Sequence, residues 1–134
     1  MHHLPDPERA KPCILVVDDD ETIAWAIAGR LGPDFRVVGE TDPARAVERA
    51  RDEQADVILC DIDMPGMSGD DVAFAISQDP ATAGIPFLYL TGLVSPDEVP
   101  EFEGVFGEHR TLSKESPTEL LREAVGDALG LPRD

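Results

Sequence analysis

The stretch Ile-Leu-Val-Val-Asp-Asp-Asp at positions 14–20 joins four apolar residues directly to three carboxylates. Four consecutive branched apolar residues are typical of a strand that is buried on both faces of a sheet. A second stretch repeats the arrangement, because Val57–Cys60 is apolar throughout and Asp61 follows at once. A buried strand normally ends in residues that turn the chain. Two strands that both end in carboxylates therefore predict a shared acidic site.

Two further apolar stretches end in polar groups of a different kind. Residues 87–90, Phe-Leu-Tyr-Leu, lead into Thr91, and Thr111–Ser113 leads into Lys114. In a parallel sheet the carboxyl ends of the strands lie along one edge, which is where such folds bind their ligands. We therefore expect a hydroxyl group and a cation to join the carboxylates at that edge.

Strand-like stretches alternate with amphipathic helical patterns five times along the chain. Such alternation predicts an α/β fold, in which a parallel sheet carries helices on both faces. The second strand is predicted at residues 35–38. Between Gly92 and His109 the helical pattern is weak, because two prolines and two further glycines interrupt it. We expect a short or distorted fourth helix in that segment.

Capping residues mark the ends of the first and last helices. Asp20 is placed to cap the first helix, and Gly32-Pro33 to end it. Ser116 and Glu119 have the spacing of a capping box, which predicts the start of the last helix.

The chain of 134 residues is long enough for one domain with its own hydrophobic core. We assign residues 12–131 to this domain, residues 1–11 to a flexible amino-terminal tail and residues 132–134 to a carboxy-terminal tail. The formal net charge of −17 argues against direct binding to nucleic acid, whose phosphates would be repelled.

Apolar segments and cysteines bear on the cellular compartment. No apolar run approaches the roughly 20 residues that span a bilayer, and no signal peptide precedes the first strand. Cys13 and Cys60 lie in or beside predicted core strands and are expected to be free thiols, which suits a reducing environment. These features predict a cytoplasmic protein that does not bind membranes.

The predicted edge has the groups that accept a phosphoryl group. Clustered carboxylates repel one another unless a cation neutralises them, and ligands that are all oxygen favour Mg²⁺. Asp61 is the best placed nucleophile, because it stands alone at the end of the middle strand. Thr91 can donate a hydrogen bond to a phosphoryl oxygen, and Lys114 can pair with its charge.

Four segments together resemble the response-regulator receiver domain of two-component signalling, the CheY-like family. Residues 14–20 resemble its acidic pocket, and residues 60–69, Cys-Asp-Ile-Asp-Met-Pro-Gly-Met-Ser-Gly, resemble its phosphoacceptor segment. Residues 90–92 resemble its switch threonine, and residues 112–114 its lysine. The resemblance implies a three-layer, doubly wound, flavodoxin-like (βα)5 fold with five parallel strands in the order 2-1-3-4-5.

The resemblance also implies how phosphorylation would proceed. Asp61 would take a phosphoryl group from a phosphohistidine on a sensor histidine kinase or a histidine phosphotransfer protein. Thr91 and Lys114 would contact the phosphoryl oxygens and transmit the change. Such a domain catalyses its own phosphorylation and dephosphorylation and is a switch in a phosphorelay, not a turnover enzyme. Its downstream protein partner is not identified, and homodimer formation is left open.

The metal ligands follow from the same resemblance. Asp19, Asp61 and the backbone carbonyl of Asp63 would bind Mg²⁺, or Mn²⁺, directly. Asp18 would act mainly through a bound water molecule. The sequence leaves open whether the chain is a stand-alone receiver or part of a longer regulator or hybrid kinase.

Three positions depart from the family pattern. Thr111 replaces an aromatic residue that normally reports phosphorylation, and Glu115 replaces the proline that normally follows the lysine. Phe106 and Tyr89 are the two aromatic residues that could take the role of the aromatic missing at position 111. Asp63 adds a carboxylate beside the site, and we hypothesise that it alters the phosphoryl lifetime or the metal affinity. These changes predict a non-standard route of signal output.

Two other functions are compatible with parts of the sequence. Asp61-Ile62-Asp63 after an apolar strand resembles the motif of haloacid-dehalogenase-type phosphatases, although there it usually follows the first strand. A pseudo-receiver that is not phosphorylated and serves only in protein interactions is the second alternative.

Overall fold

The computed structural model describes residues 11–92 and 109–131. These residues form a five-stranded parallel sheet with strand order β2-β1-β3-β4-β5 and four α-helices, which confirms the predicted fold class. The strands are β1 Cys13–Val17, β2 Arg36–Glu40, β3 Val57–Cys60, β4 Phe87–Thr91 and β5 Thr111–Ser113. The helices are α1 Glu21–Leu31, α2 Ala46–Asp52, α3 Gly69–Gln78 and α4 Thr118–Leu129.

Two apolar cores lie on opposite faces of the sheet. Alternate residues of β1, β3 and β4 point to each face, as the period of a strand requires. On one face they pack against α2 and α3, through residues such as Ala50 and Val72. On the other face they pack against α1 and α4, through residues such as Ile27 and Leu121. The result is the predicted three-layer arrangement, in which both faces of the sheet are covered.

The ends of α1 are those that the sequence predicts. The side chain of Asp20 accepts a hydrogen bond from the backbone N–H of Thr22, and Gly32 caps the carboxyl end. The pKa of Asp20 is lowered by the two hydrogen bonds that Thr22 donates, from its hydroxyl and its backbone N–H. An ionised cap at this end also interacts favourably with the helix dipole.

Two predicted boundaries are wrong. The capping box of Ser116 and Glu119 does not form; Pro117 precedes the first helical residue of α4 and makes no side-chain capping bond. The hydroxyl of Ser116 is buried and makes no hydrogen bond to the helix. The second strand runs over Arg36–Glu40 and not over 35–38, because backbone pairing with β1 continues through Glu40.

The helix predicted between Gly92 and His109 falls on residues 93–108, which lie outside the described residues. Within the described residues, no helix is both long and apolar enough to cross a membrane. Cys13 and Cys60 are buried free thiols, as predicted. Burial raises the pKa of both thiols, so neither is poised to react as a thiolate.

Candidate functional site

The carboxyl ends of β1 and β3 lie side by side and bring two acidic residues together. The backbone N–H of Asp61 donates to the carbonyl of Val17 over 2.9 Å, and the N–H of Asp18 donates to the carbonyl of Glu40 over 3.1 Å. These bonds extend the sheet by one residue beyond each strand. The two carboxylates are thus carried by ordered backbone at the edge where parallel sheets bind ligands.

Three carboxylates converge at this edge. Asp18, Asp19 and Asp61 each offer an oxygen, and these oxygens lie within 4.8 Å of one another. Asp18 and Asp61 are 3% and 7% exposed, whereas Asp19 faces solvent. A cation that reached this cluster would meet oxygen ligands only, among the residues that the structure describes. This donor set fits Mg²⁺, which prefers carboxylate oxygens and retains several water ligands.

Lys114 places its ammonium group between two of these carboxylates. Its Nζ lies 2.6 Å from Oδ2 of Asp18 and 3.4 Å from Oδ2 of Asp61. Its backbone N–H donates to the carbonyl of Thr91 over 2.7 Å. Lys114 follows the edge strand β5, and its ammonium group reaches the carboxylates that follow the central strands β1 and β3. The cation predicted from the sequence therefore lies within the acidic cluster.

The electrostatics of the cluster favour a bound cation. Burial raises the pKa of Asp61 and the negative charge of Asp18 raises it further, although Lys114 partly offsets both effects. Burial works to lower the pKa of Lys114, but its contacts with Asp18 and Asp61 outweigh this and raise it. Lys114 therefore stays charged, and a cation bound at the cluster would counter the effects that raise the pKa of Asp61.

Thr91 lies at the end of β4, is fully buried and pairs in register with Ser113. Gly92 follows it, and a Cβ at that position would lie 3.5 Å from Cδ of Lys114. An alanine at position 92 would therefore only touch the lysine stem in ordinary van der Waals contact. The described geometry brings Thr91 and Lys114 to one edge, as the sequence predicts.

The loop after β3 is anchored by local hydrogen bonds. The backbone N–H of Ile62 donates to Oδ1 of Asp61 over 2.9 Å, and the N–H of Gly69 donates to the carbonyl of Ile62 over 2.8 Å. Asp63 is exposed, whereas the following Met64 packs into the core. The side chain of Asp63 thus faces solvent, on the segment that directly follows Asp61.

Gly69 is a close-packing position that the sequence analysis missed. A Cβ at Gly69 would lie 2.5 Å from the carbonyl oxygen of Asp61 and 3.0 Å from Cα of Ile62. Real Cβ atoms do not approach backbone this closely. The start of α3 therefore rests directly on the backbone that carries Asp61. A glycine directly after the serine cap, as the first residue of the helix, is the only sequence signal of this contact.

The departure at Thr111 is accompanied by a buried tyrosine on the neighbouring strand. Thr111 is 3% exposed and pairs in register with Tyr89, which is 1% exposed. The hydroxyl of Tyr89 donates to Oδ1 of Asp70 over 2.5 Å, and its ring makes edge contacts with Phe87 and His109. The other suggested aromatic substitute, at position 106, lies outside the described residues. That Tyr89 replaces the missing aromatic in switching stays a prediction.

Changing Tyr89 to phenylalanine should lower the free energy of unfolding by about 1–2 kcal/mol, because it removes a part-buried hydrogen bond to the carboxylate of Asp70. Urea unfolding at neutral pH measures the loss.

Burial first, and then the bond to Asp70, raises the pKa of Tyr89, so the folded state keeps a proton that the unfolded state loses. The native chain should therefore lose stability as pH rises through about 10, the pKa of an unfolded tyrosine.

The phenylalanine variant should lose less stability over the same rise in pH, and no other tyrosine complicates the comparison because the chain has only one. Asp70→Asn keeps an oxygen acceptor but removes its charge. It should lower the free energy of unfolding by less than Tyr89→Phe does. Equal stability of the native chain and Tyr89→Phe at neutral pH would contradict the hydrogen bond.

Comparison with known proteins agrees with this geometry. The sequence profile described as "Response regulator receiver domain" matches residues 14–126, and the chain belongs to this family. It is 34% identical over 122 residues to the nitrate/nitrite response regulator protein NarP of Escherichia coli, covering 89% of this chain and 55% of NarP. It is 30% identical over 95 residues to the sensor histidine kinase TmoS of Ectopseudomonas mendocina, covering 71% of this chain and 10% of TmoS.

Solved structures of similar proteins have the same fold. The chemotaxis protein CheY4 of Vibrio cholerae matches with a TM-score of 0.73 and 27% identity, covering 89% of this chain and 99% of CheY4. The chain thus aligns with nearly all of the solved CheY4 chain, but with only 55% or less of the two curated relatives described above. The class of protein is a signalling module, and phosphorylation is characteristic of its family.

Proposed function

We propose that this domain accepts a phosphoryl group on Asp61 and acts as a switch in a two-component phosphorelay. The observation that carries the proposal is the position of Lys114, whose ammonium contacts both Asp18 and Asp61 at the carboxyl edge of the sheet. A carboxylate cluster that served only for solubility would not need a half-buried cation brought from the edge strand β5.

The donor would be a phosphohistidine on a sensor histidine kinase or a histidine phosphotransfer protein. A carboxylate oxygen of Asp61 attacks phosphorus, the P–N bond breaks, and its electron pair returns to the imidazole nitrogen, which can then take a proton. The product is an acyl phosphate on Asp61 and a neutral histidine on the donor. The resemblance of the chain to a part of a sensor histidine kinase supports this class of donor.

The remaining site residues bind and orient in this proposal. Asp18, Asp19 and Asp61 would hold Mg²⁺ together with the backbone carbonyl of Asp63, with Asp18 acting mainly through water. The ion, when bound, would neutralise charge on the incoming phosphoryl oxygens. Lys114 would exchange its contact with Asp61 for one with a phosphoryl oxygen.

Thr91 would donate its hydroxyl proton to a second phosphoryl oxygen. Because the carbonyl of Thr91 accepts a bond from the Lys114 backbone, a shift of either residue would displace the other. A partner protein would read this change, which makes the domain a switch that catalyses only its own phosphorylation and dephosphorylation. The exposed carboxylate of Asp63 would modify the lifetime of the acyl phosphate or the affinity for the ion.

Intact-protein mass spectrometry after incubation with acetyl phosphate and Mg²⁺ tests the proposal. The native chain should gain the mass of one phosphoryl group, and chelation of Mg²⁺ should abolish the gain. Asp61→Ala should show no gain. Asp52→Ala, which removes an exposed carboxylate at the end of α2, should behave as the native chain.

Three outcomes would overturn the assignment. An unmodified native chain would favour the pseudo-receiver that serves only in protein interactions. A gain that persists in Asp61→Ala would place the acceptor elsewhere. Sustained hydrolysis of an aryl phosphate without accumulation of the phosphorylated form would favour the phosphatase.

A further inference from the structure

Lys114 lies in a tight turn between β5 and α4. The backbone N–H of Ser116 donates to the carbonyl of Ser113 over 2.9 Å and closes a four-residue turn, the lysine turn of residues 113–116. The N–H of Glu115 also donates to the hydroxyl of Ser113, over 3.1 Å. Lys114 is one of the two central residues of this turn. The direction of its side chain therefore depends on where the two ends of the turn are held.

The sheet holds the first end of the lysine turn. Ser113 is fully buried and pairs in register with Thr91 of β4, and the N–H of Lys114 donates to the carbonyl of Thr91 over 2.7 Å. The second end has no such support from the sheet, because Ser116 lies between β5 and α4 and belongs to neither. Glu115 is exposed and leaves its φ angle free, whereas a proline would fix it. The second end is therefore fixed only if another element holds it.

Arg30, in the last turn of α1, holds this second end. Its guanidinium donates one hydrogen bond to the backbone carbonyl of Ser116 and another, from Nε over 3.1 Å, to the hydroxyl of Thr118. These partners are 86 and 88 positions away along the chain. A basic residue at the end of a helix commonly interacts with the last carbonyls of its own helix. Arg30 instead holds the backbone that leads from the lysine turn into α4.

Arg122 connects the same two helices in the opposite direction. From α4, its guanidinium donates to the backbone carbonyl of Arg30 over 3.2 Å and pairs with Asp34, beyond the end of α1, at 2.5 Å. These contacts hold α1 against α4 but do not include the lysine turn. The two arginines therefore differ in one respect that an experiment can use, because Arg30 alone of the two bonds to Ser116.

We propose that Arg30 is a positioning residue for Lys114. By holding the carbonyl of Ser116 it fixes the turn from which the ammonium group reaches Asp18 at 2.6 Å and Asp61 at 3.4 Å. An ammonium group on a flexible four-carbon stem is poorly oriented by itself, so the backbone must supply the precision. The consequence for phosphoryl transfer rests on the function proposed above, whereas the positioning itself does not.

Hydrogen exchange of backbone amides tests the positioning without any reaction. NMR in a buffer that chelates divalent cations follows the amides of Lys114 and Ser116, and that of Ile58, which donates to Pro86 within the sheet and reports global opening. Arg30→Met keeps the apolar stem and removes both hydrogen bonds of the guanidinium. The Lys114 and Ser116 amides should then exchange about tenfold faster relative to Ile58, the size expected for losing a hydrogen bond from a charged group.

Arg122→Met is the matched control for this measurement. It loosens the same pair of helices, so the Lys114 and Ser116 amides should lose no more protection than Ile58 does. Arg30→Lys keeps the charge but cannot donate to both acceptors through the fixed fork of a guanidinium, and it should restore only part of the protection. Equal selective loss of protection in Arg30→Met and Arg122→Met would show a general effect of helix packing and overturn the proposal.

The rate of phosphorylation by acetyl phosphate with saturating Mg²⁺ tests the consequence for the reaction. Arg30→Met should slow it about 10- to 100-fold, because misplacing a group by about 1 Å has effects of this size. In a Lys114→Met background the same change should slow it less than about twofold, since the residue that Arg30 positions is already gone. Equal slowing in both backgrounds would mean that Arg30 does not act through Lys114.

Failure of this proposal and failure of the proposed function give different results. A native chain that gains no phosphoryl group contradicts the function and leaves the exchange measurement to decide the role of Arg30. Unchanged protection of Lys114 and Ser116 in Arg30→Met contradicts the positioning role, whatever the rate of phosphorylation. Selective loss of protection together with slower phosphorylation supports both.

Discussion

Replacing Lys114 by methionine should lower the free energy of unfolding by about 2–3 kcal/mol in a buffer that chelates divalent cations. The substitution keeps the aliphatic stem and removes the charge that lies 2.6 Å from Asp18 and 3.4 Å from Asp61. Removing one partner of a buried ion pair usually costs about 3–5 kcal/mol, and we expect less here because Lys114 is 22% exposed. Urea unfolding at pH 7.5 measures the loss.

A divalent cation should restore much of this stability. Mg²⁺ would supply the positive charge that the variant lacks, so saturating Mg²⁺ should stabilise Lys114→Met more than it stabilises the native chain. Arg110→Met is the matched control, because it breaks an exposed ion pair with Asp127 at 3.6 Å. Such pairs contribute about 0–1 kcal/mol. Equal losses in the two variants would show that Lys114 is not buried within the carboxylate cluster.

Replacing Gly69 by alanine should lower the free energy of unfolding by about 2–3 kcal/mol, the upper part of the range for overpacking. The new Cβ would lie 2.5 Å from the carbonyl oxygen of Asp61, and backbone cannot move aside as a flexible side chain can. Either α3 or the segment that carries Asp61 must shift. Phosphorylation by acetyl phosphate should therefore slow along with the loss of stability, which mass spectrometry over time would follow.

Gly29 provides the control for this substitution. It lies within α1, and a Cβ there has no atom within 4 Å. Alanine is the better helix former by about 0.5–1 kcal/mol, so Gly29→Ala should stabilise the protein slightly and leave phosphorylation unchanged. If Gly69→Ala also left both quantities unchanged, the close contact between α3 and Asp61 would be contradicted.

The fold could be predicted because each strand carries its own signal. The runs at 14–17 and 57–60 are apolar at every position, and this continuous pattern identifies a strand covered by helices on both faces. The order of the strands came from the family resemblance, since no local pattern specifies which strand pairs with which. The predicted second strand ended two residues before the observed end of β2, because Gly39 and Glu40 are not typical strand residues.

The gathering of the site residues could also be predicted, because parallel strands place their carboxyl ends together. The structure brings Asp18, Asp19, Asp61 and Lys114 into one cluster. Their distances could not be predicted, since they depend on how far each side chain extends from its strand.

Contacts between distant residues left no signal in the sequence. Tyr89 and Asp70 are 19 positions apart and belong to different elements, and nothing local indicates their hydrogen bond. The capping box at Ser116 failed for a related reason. Its backbone carbonyl accepts a long-range bond from Arg30 of α1, and its hydroxyl is buried. Local capping patterns do not include such tertiary constraints.

The contact between Lys114 and Asp18 also has a consequence for synthesis of the protein. The two residues are separated by most of the given chain, and the lysine directly follows the last strand of the sheet. A nascent chain that has already made β1 and β3 carries two acidic strand ends with no lysine to balance them. We expect these ends to stay apart on the ribosome, or to rely on cellular Mg²⁺, until translation has passed residue 114. Without Mg²⁺, the growing sheet can thus close its acidic edge only after its last strand and Lys114 have been made.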